Sequence, residues 1–192
     1  MRKLFLFLVV LFLSFQQVTL AAIKEMTSTP DSVYLFSFAT SGDDGRSGLR
    51  FAWSMDKENW FEVGRNYGYL RCDYSRWGSQ KKMLDPNLKQ LPGGEWLCVW
   101  KLNDHDGYGQ ARSKDLIYWE AQQYPRTTSD FEGTRVKAKI AGHEETGTVS
   151  QVPWSVVDGL TQTYERNQYR NSLYGDCLLY TSPSPRDRSV SR

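Results

Sequence analysis

The chain has 192 residues, enough for one ordinary domain. At 40% hydrophobic, 14% aromatic and 24% charged residues it can bury a core, which excludes a disordered or fibrous chain. The formal net charge of +2 comes from the ends: Arg2 and Lys3 at one, and a surplus of two arginines in the last sixteen residues at the other. The chain between them carries about −2, which argues against nucleic acid or an anionic membrane as partner.

At the amino end, Arg2 and Lys3 precede an apolar run, Leu4 to Phe15, and the small-residue stretch "VTLAA". This is the pattern of a secretory signal peptide, with cleavage expected near Ala21 or Ala22. The run falls short of the ~20 residues that a membrane span needs. A secreted or periplasmic protein with no membrane contact after signal cleavage is therefore expected.

The mature chain then repeats itself. "VYLFSFA" (Val33–Ala39), the polar loop "TSGDDGRS" and "GLRFAWSMDKENW" (Gly48–Trp60) correspond to "EWLCVWK" (Glu95–Lys101), "LNDHDGY" and "GYGQARSKDLIYW" (Gly107–Trp119). The second parts share Gly48/Gly107, Ala52/Ala111, Ser54/Ser113, Asp56/Asp115 and Trp60/Trp119. The unit reads as strand, loop, strand, Ser-x-Asp turn, tryptophan. Ser and Asp stabilise tight turns by accepting from nearby backbone N–H groups, and tryptophan supplies a large apolar plate. Asp56, Asp115, Trp60 and Trp119 are thus expected to be folding devices and not catalytic groups. A lone hairpin cannot bury its own face, so units with a period near 60 imply a solenoid or propeller; strand-rich units closed by tryptophan favour the propeller.

Between the two units lies "RNYGYLRCDYSRWG", Arg65 to Gly78. Its Tyr67, Tyr69, Tyr74 and Trp77, interleaved with arginines, suit sugar stacking and hydroxyl binding; packing of the loop itself explains them equally well. Cys72 and Cys98 could pair in an oxidising compartment, or Cys98, inside "EWLCVW", could be a buried free thiol. In "NDHDGY" (Asn103–Tyr108), His105 and its acidic neighbours could bond a sugar, although a loop between strands is polar for solvent reasons alone. No cysteine–histidine spacing suggests zinc, and neither a metal nor another cofactor is expected.

The stretch "LDPNLKQLPGGEWLCVWKLNDHDGYGQARSKDLIYW", Leu84 to Trp119, resembles the five-bladed β-propeller glycosidases of glycoside hydrolase family 43. Asp85-Pro86, Gly93-Gly94, Trp96 to Trp100 and Ala111 to Trp119 match; Leu84 stands where that family carries arginine. The resemblance covers roughly residues 31–125. It implies inverting hydrolysis by a base, an acid and an orienting carboxylate on different blades. Acid and base in such enzymes stand about 6.5–9.5 Å apart. Asp85 would be the base, unless it only shapes an Asp-Pro turn at the start of a strand. The other two carboxylates would lie on later blades.

After Pro125, "GTRVKAKI" alternates with Val136, Ala138 and Ile140 on one face, and "AGHEETGTVSQV" turns and returns as a hairpin. Before it, "DFEG" (Asp130–Gly133) reads as a capped turn. Pro153 suits the first turn of a helix, and Trp154, Val157, Leu160 and Tyr164 form its apolar stripe. Gly133 to Asp176 resembles a junction in modular bacterial α-L-arabinofuranosidases, where a propeller-like part precedes a family 51 barrel. That resemblance implies a further catalytic module after this segment. "CLLYTSPSPRD", Cys177 to Asp187, resembles a translated sequencing-library adapter, so the natural sequence is expected to run only to about Asp176.

The expected organisation is a signal peptide (1–22), propeller blades (23–130), a hairpin-plus-helix junction (131–176) and an artefactual tail (177–192). The fold class is all-β, an incomplete propeller of about two blades followed by a β-hairpin and an amphipathic helix. The expected function is that of a secreted glycoside hydrolase-like propeller acting on arabinose- or xylose-containing plant polysaccharide, the fragment alone being inactive. The alternative is a non-catalytic propeller that binds oligo- or polysaccharide, or docks on a separate glycosidase module.

Overall fold

The computed structural model describes residues 29–76, 80–103, 106–131 and 133–178, with side chains described as far as 171. The expected signal peptide and the adapter-like residues beyond 178 lie outside the described residues. The chain divides into two units, Met1–Asp31 and Ser32–Arg192, and the elements below belong to the second.

The unit is mostly β with one long helix. Its strands are β1 (Ser32–Phe38), β2 (Arg50–Ser54), β3 (Phe61–Val63), β4 (Leu84–Gln90), β5 (Trp96–Asn103), β6 (Gly107–Ser113), β7 (Val136–Ile140) and β8 (His143–Pro153). The helix, α1 (Trp154–Leu178), follows β8 directly. Five strands make one antiparallel sheet in the order β3-β2-β1-β8-β7; three make a second, β4-β5-β6.

The repeat read from the sequence is a structural repeat down to its register. Tyr34 faces Ser54 and Phe36 faces Ala52 in the first hairpin; Trp96 faces Ser113 and Cys98 faces Ala111 in the second. The shared glycines have a common cause. Gly48 and Gly107 both have positive φ, at 83° and 96°. A Cβ on either would press on a backbone carbonyl, that of Leu70 or Pro125, so only glycine fits.

The turns also repeat atom for atom. Ser54 Oγ accepts from Lys57 N (2.9 Å), and Asp56 Oδ1 accepts from Glu58 N and Asn59 N (both 2.8 Å). Ser113 Oγ accepts from Leu116 N (2.9 Å), and Asp115 Oδ1 accepts from Ile117 N (2.9 Å) and Tyr118 N (2.8 Å). Lys57 and Leu116 both take φ of 65°. Each turn closes with an indole N–H donating to a turn carbonyl, Trp60 to Lys57 (3.0 Å) and Trp119 to Leu116 (3.2 Å). These four residues are spent on the turn.

A pH dependence follows for Asp56. Amide donors from Asn59 and Glu58 hold its carboxyl far below the ordinary carboxylate range. A carboxyl depressed by folding contributes stability above its unfolded value of about 4, and that contribution fades as pH falls. Asp56→Asn should therefore lower the urea midpoint at pH 7, and the gap from the parent should narrow by pH 3. An equal gap at both pH values would contradict the ionised turn.

The expected hairpin after residue 130 is β7–β8, joined by Ala141 and Gly142, both at positive φ (48° and 90°), as tight hairpins require. β8 does not stop at pairing with β7. It also pairs with β1 over seven positions, from Ser32↔Pro153 to Phe38↔Gly147. β1 is therefore a central strand buried on both faces, which is why it reads as a near-continuous apolar run. Val33 and Leu35 join a large cluster with Met83, Leu88, Trp100 and, from α1, Val157 and Leu160. Phe36 and Phe38 join Ala52, Ala138 and Ile140 on the other face.

A buried polar knot links the sheets. Thr148 Oγ1 on β8 lies 2.7 Å from Ser37 Oγ on β1 and accepts from Leu88 N on β4 at 3.1 Å. Cys72 and Cys98 are free and buried, and burial pushes both thiols up, so they stay protonated. No helix among the described residues is long and apolar enough to cross a membrane.

Candidate functional site

Asp85 opens β4 at an irregularity: the pairing with β5 slips between Leu84 and Asn87. Its φ is 49°, although the residue before a proline is normally driven to extended backbone. A bulge of this kind re-aims a side chain, and a left-handed non-glycine residue stores local strain of ~1–3 kcal/mol. The re-aimed carboxylate lies 3.2 Å from Arg135 Nη1 and 3.7 Å from Lys101 Nζ. Arg135 Nη2 also donates to the Asp85 carbonyl at 3.2 Å. Both cations rest on the ring of Phe131, at 4.6 and 5.2 Å from its centroid.

The segment carrying Phe131 is clipped to the three-stranded sheet. Lys89 Nζ reaches Asp130 Oδ1 at 2.5 Å, and Asn87 Nδ2 donates to the Phe131 carbonyl at 2.8 Å. Thr128 Oγ1 accepts from Asp130 N at 3.0 Å, so "DFEG" is entered by a side-chain-capped turn.

Asp85 lines a depression of about 380 Å³ together with Thr40, Asp44, Glu144 and Glu145. Glu145 is buried. One of its oxygens accepts from Thr40 Oγ1 (2.5 Å) and the other from Ser41 N (3.0 Å). Its position could have been found in the sequence. It stands opposite Ala138, in phase with the apolar alternation of Val136, Ala138 and Ile140, where a carboxylate is out of place unless it is bonded.

The aromatic residues of the Arg65–Gly78 loop go to different places. Tyr69 is buried, 5.1 Å from the ring of Phe51, and donates its hydroxyl to the Leu160 carbonyl of α1 at 3.0 Å. Tyr67 stacks edge-on to Tyr69 (4.8 Å) and Tyr164 (5.8 Å), and accepts from Asn167 Nδ2 at 2.7 Å. These two rings fasten the helix. Tyr74 lies apart, 4.9 Å from Tyr124. It lines a depression of about 620 Å³ with Gln80, Lys82, Leu102, Asn103 and Asp106. Asn103 Oδ1 accepts from Asp106 N at 2.6 Å and its amide donates to Asp106 Oδ2 at 2.5 Å, tightening the β5–β6 turn. Trp77 and His105 lie outside the described residues.

Comparison with family models, with curated proteins and with solved structures finds no significant match for this chain. The site therefore stands on its own geometry. Among the described residues, no group of three His, Cys, Asp or Glu side chains is placed to hold a metal ion. The sequence-predicted residues Asp85 and Tyr74 each line a polar depression. One has carboxylates at its rim; the other has a tyrosine ring, two amide side chains and a lysine. Both offer the donors and acceptors that polyhydroxylated molecules need.

The helix contact can be weighed directly. Burial pushes the Tyr69 hydroxyl well above its ordinary value, so it remains a donor across the accessible pH range. Tyr69→Phe leaves the Leu160 carbonyl without that donor and should cost about 0.5–1.5 kcal/mol in chemical unfolding. An unchanged unfolding midpoint would mean that the hydroxyl contributes nothing to holding α1.

Proposed function

We propose that this chain is part of a secreted glycoside hydrolase-like β-propeller that acts on arabinose- or xylose-containing plant polysaccharide. The two equivalent hairpins are its first blades. The observation that carries the reading is Asp85: a left-handed residue before proline, set on a bulge, with its carboxylate at the rim of a depression shared with Glu144 and Glu145. Strained, re-aimed polar residues cluster at functional sites. In this reading Asp85 is the general base that activates water at the anomeric carbon, and the Tyr74 depression holds a neighbouring part of the glycan. The signal-peptide pattern at residues 1–22 supports a location outside the cytoplasm. A further catalytic module, as the arabinofuranosidase-like junction implies, would follow this segment.

One observation favours a second reading. The Asp85 carboxylate is engaged by Arg135 and Lys101, and an anchored carboxylate can serve structure alone. The chain would then be a non-catalytic module that binds glycan or docks on an enzyme.

Two assays test these readings, binding on the purified chain and hydrolysis on the intact protein. Arabinoxylan oligosaccharides titrated calorimetrically should bind, and an aryl α-L-arabinofuranoside or aryl β-xyloside should report any hydrolysis. Binding with hydrolysis supports the first reading, and binding alone the second. No binding of any arabinose- or xylose-containing oligosaccharide would remove the first reading and the glycan-binding form of the second, leaving only docking on an enzyme.

A further inference from the structure

A third depression, of about 400 Å³, adjoins the Asp85 depression; Thr40 and Glu145 line both. It is built around a buried cation. Arg50, on β2, is 8% exposed, packs over the Phe38 ring at 5.5 Å and is ion-paired through Nη2 to Glu62. The same nitrogen donates to Asn66 Oδ1 at 3.1 Å, while Glu62 Oε1 accepts from Asn66 N at 3.3 Å. The triad is thus fixed before any ligand arrives. Yet Arg50 Nε–H is buried without an acceptor, and an unmade hydrogen bond on a buried group is costly. Burial pulls the guanidinium below its ordinary value, and the nearby Asp43 and Glu145 offset this.

The rim of this depression mixes basic side chains with carboxylates: Arg65 and His143 line it beside Asp43, Glu62 and Glu145. An anion entering here would meet those carboxylates. A neutral polyol would meet a guanidinium donor, carboxylate acceptors and an amide, with Phe38 and Ile140 as apolar floor. Hydroxyl groups both donate and accept, so vicinal hydroxyls match this array. We infer that the Arg50 depression is a binding subsite for a neutral sugar residue, recognised through adjacent hydroxyls, next to the Asp85 depression. The inference rests on the carbohydrate reading given above and adds to it a second place of contact and a charge preference.

The test titrates the full chain with β-1,4-xylohexaose, with α-1,5-arabinopentaose, with xylose and with glucuronic acid, in the parent and three variants, Asn66→Gly, Arg65→Ala and Tyr74→Ala. Asn66→Gly removes the amide at a position whose φ of 58° glycine accepts without strain. Arg65→Ala alters only an exposed side chain. One of the neutral oligosaccharides should bind the parent, and its affinity should fall about two- to tenfold in Asn66→Gly, as loss of a neutral hydrogen bond predicts. The fall in Arg65→Ala should be smaller, and glucuronic acid should bind no better than free neutral xylose. Oligosaccharide binding that survives unchanged in Asn66→Gly and Arg65→Ala but is lost in Tyr74→Ala would overturn this subsite and leave the carbohydrate reading standing. Absence of binding to either oligosaccharide would overturn both. Preferential binding of glucuronic acid would overturn the neutral-sugar assignment.

Discussion

Trp100→Ala should destabilise the protein by about 3–5 kcal/mol, the range for deleting a large buried aromatic side chain. Trp100 lies in the middle of β5 and is fully buried. Its cluster includes residues of both sheets and of α1, so the cavity would open within the core that these elements share. The opposite strand has been cut to fit the indole. Gly109 faces Trp100 across the β5–β6 pair, and a Cβ there would overlap the six-membered ring. Gly109→Ala should accordingly cost about 1–3 kcal/mol by overpacking, and the two changes combined should cost less than their sum because they share one site. Equilibrium unfolding in urea, followed by tryptophan fluorescence and far-UV circular dichroism, gives each value. A loss below about 1 kcal/mol for Trp100→Ala, as for an ordinary surface change, would contradict the packing.

If Asp85 is the general base of the proposed hydrolysis, Asp85→Asn should lower turnover on an aryl arabinofuranoside or xyloside by about 10²–10⁴-fold in the intact protein. Asparagine keeps the shape and removes the basic oxygen that takes the proton from water. Binding of unreacted sugar should change little, since the loss falls on the transition state. The same variant discriminates against the structural reading. If the carboxylate is only an anchor for Arg135 and Lys101, both exposed to solvent in part, turnover stays normal and stability falls by about 0.2–1 kcal/mol, as for exposed ion pairs. Measuring turnover and the urea midpoint on one preparation separates the outcomes.

The local repeat was legible because its chemistry is local. Ser54, Asp56 and Trp60 act within a single turn, as do Ser113, Asp115 and Trp119, so their spacing alone states their role. The hairpin at Val136–Pro153 and the stripe of Val157 and Leu160 were legible for the same reason. The pairing of β8 with β1 was not, because Ser37 and Thr148 stand 111 positions apart and no short pattern marks two strands as neighbours. Tyr67 and Tyr69 illustrate the same limit. Their aromatic, glycine-punctuated loop reads as a sugar platform until α1 is laid on it, a contact made by the Tyr69–Leu160 and Tyr67–Asn167 bonds and the Tyr67–Tyr164 ring pair. Glu145 was hidden by its setting in the polar run "HEET", although the alternation across from Ala138 marks it as inward-facing.

The long-range pairing of β1 has a consequence for synthesis. β1 and β2 leave the ribosome early and can form their hairpin at once, but the other edge of β1 stays unpaired until residues 143–153 have emerged. During that interval an apolar strand with free N–H and C=O groups is open to intermolecular pairing. The second hairpin, β5–β6, is complete before β8 exists, so the nascent chain holds one finished sheet and one waiting strand. Closure by β8 then brings distant parts of the chain together, a contact pattern that folds slowly. Slow capture of β1 by β8 would leave that edge open to aggregation whatever the stability of either hairpin.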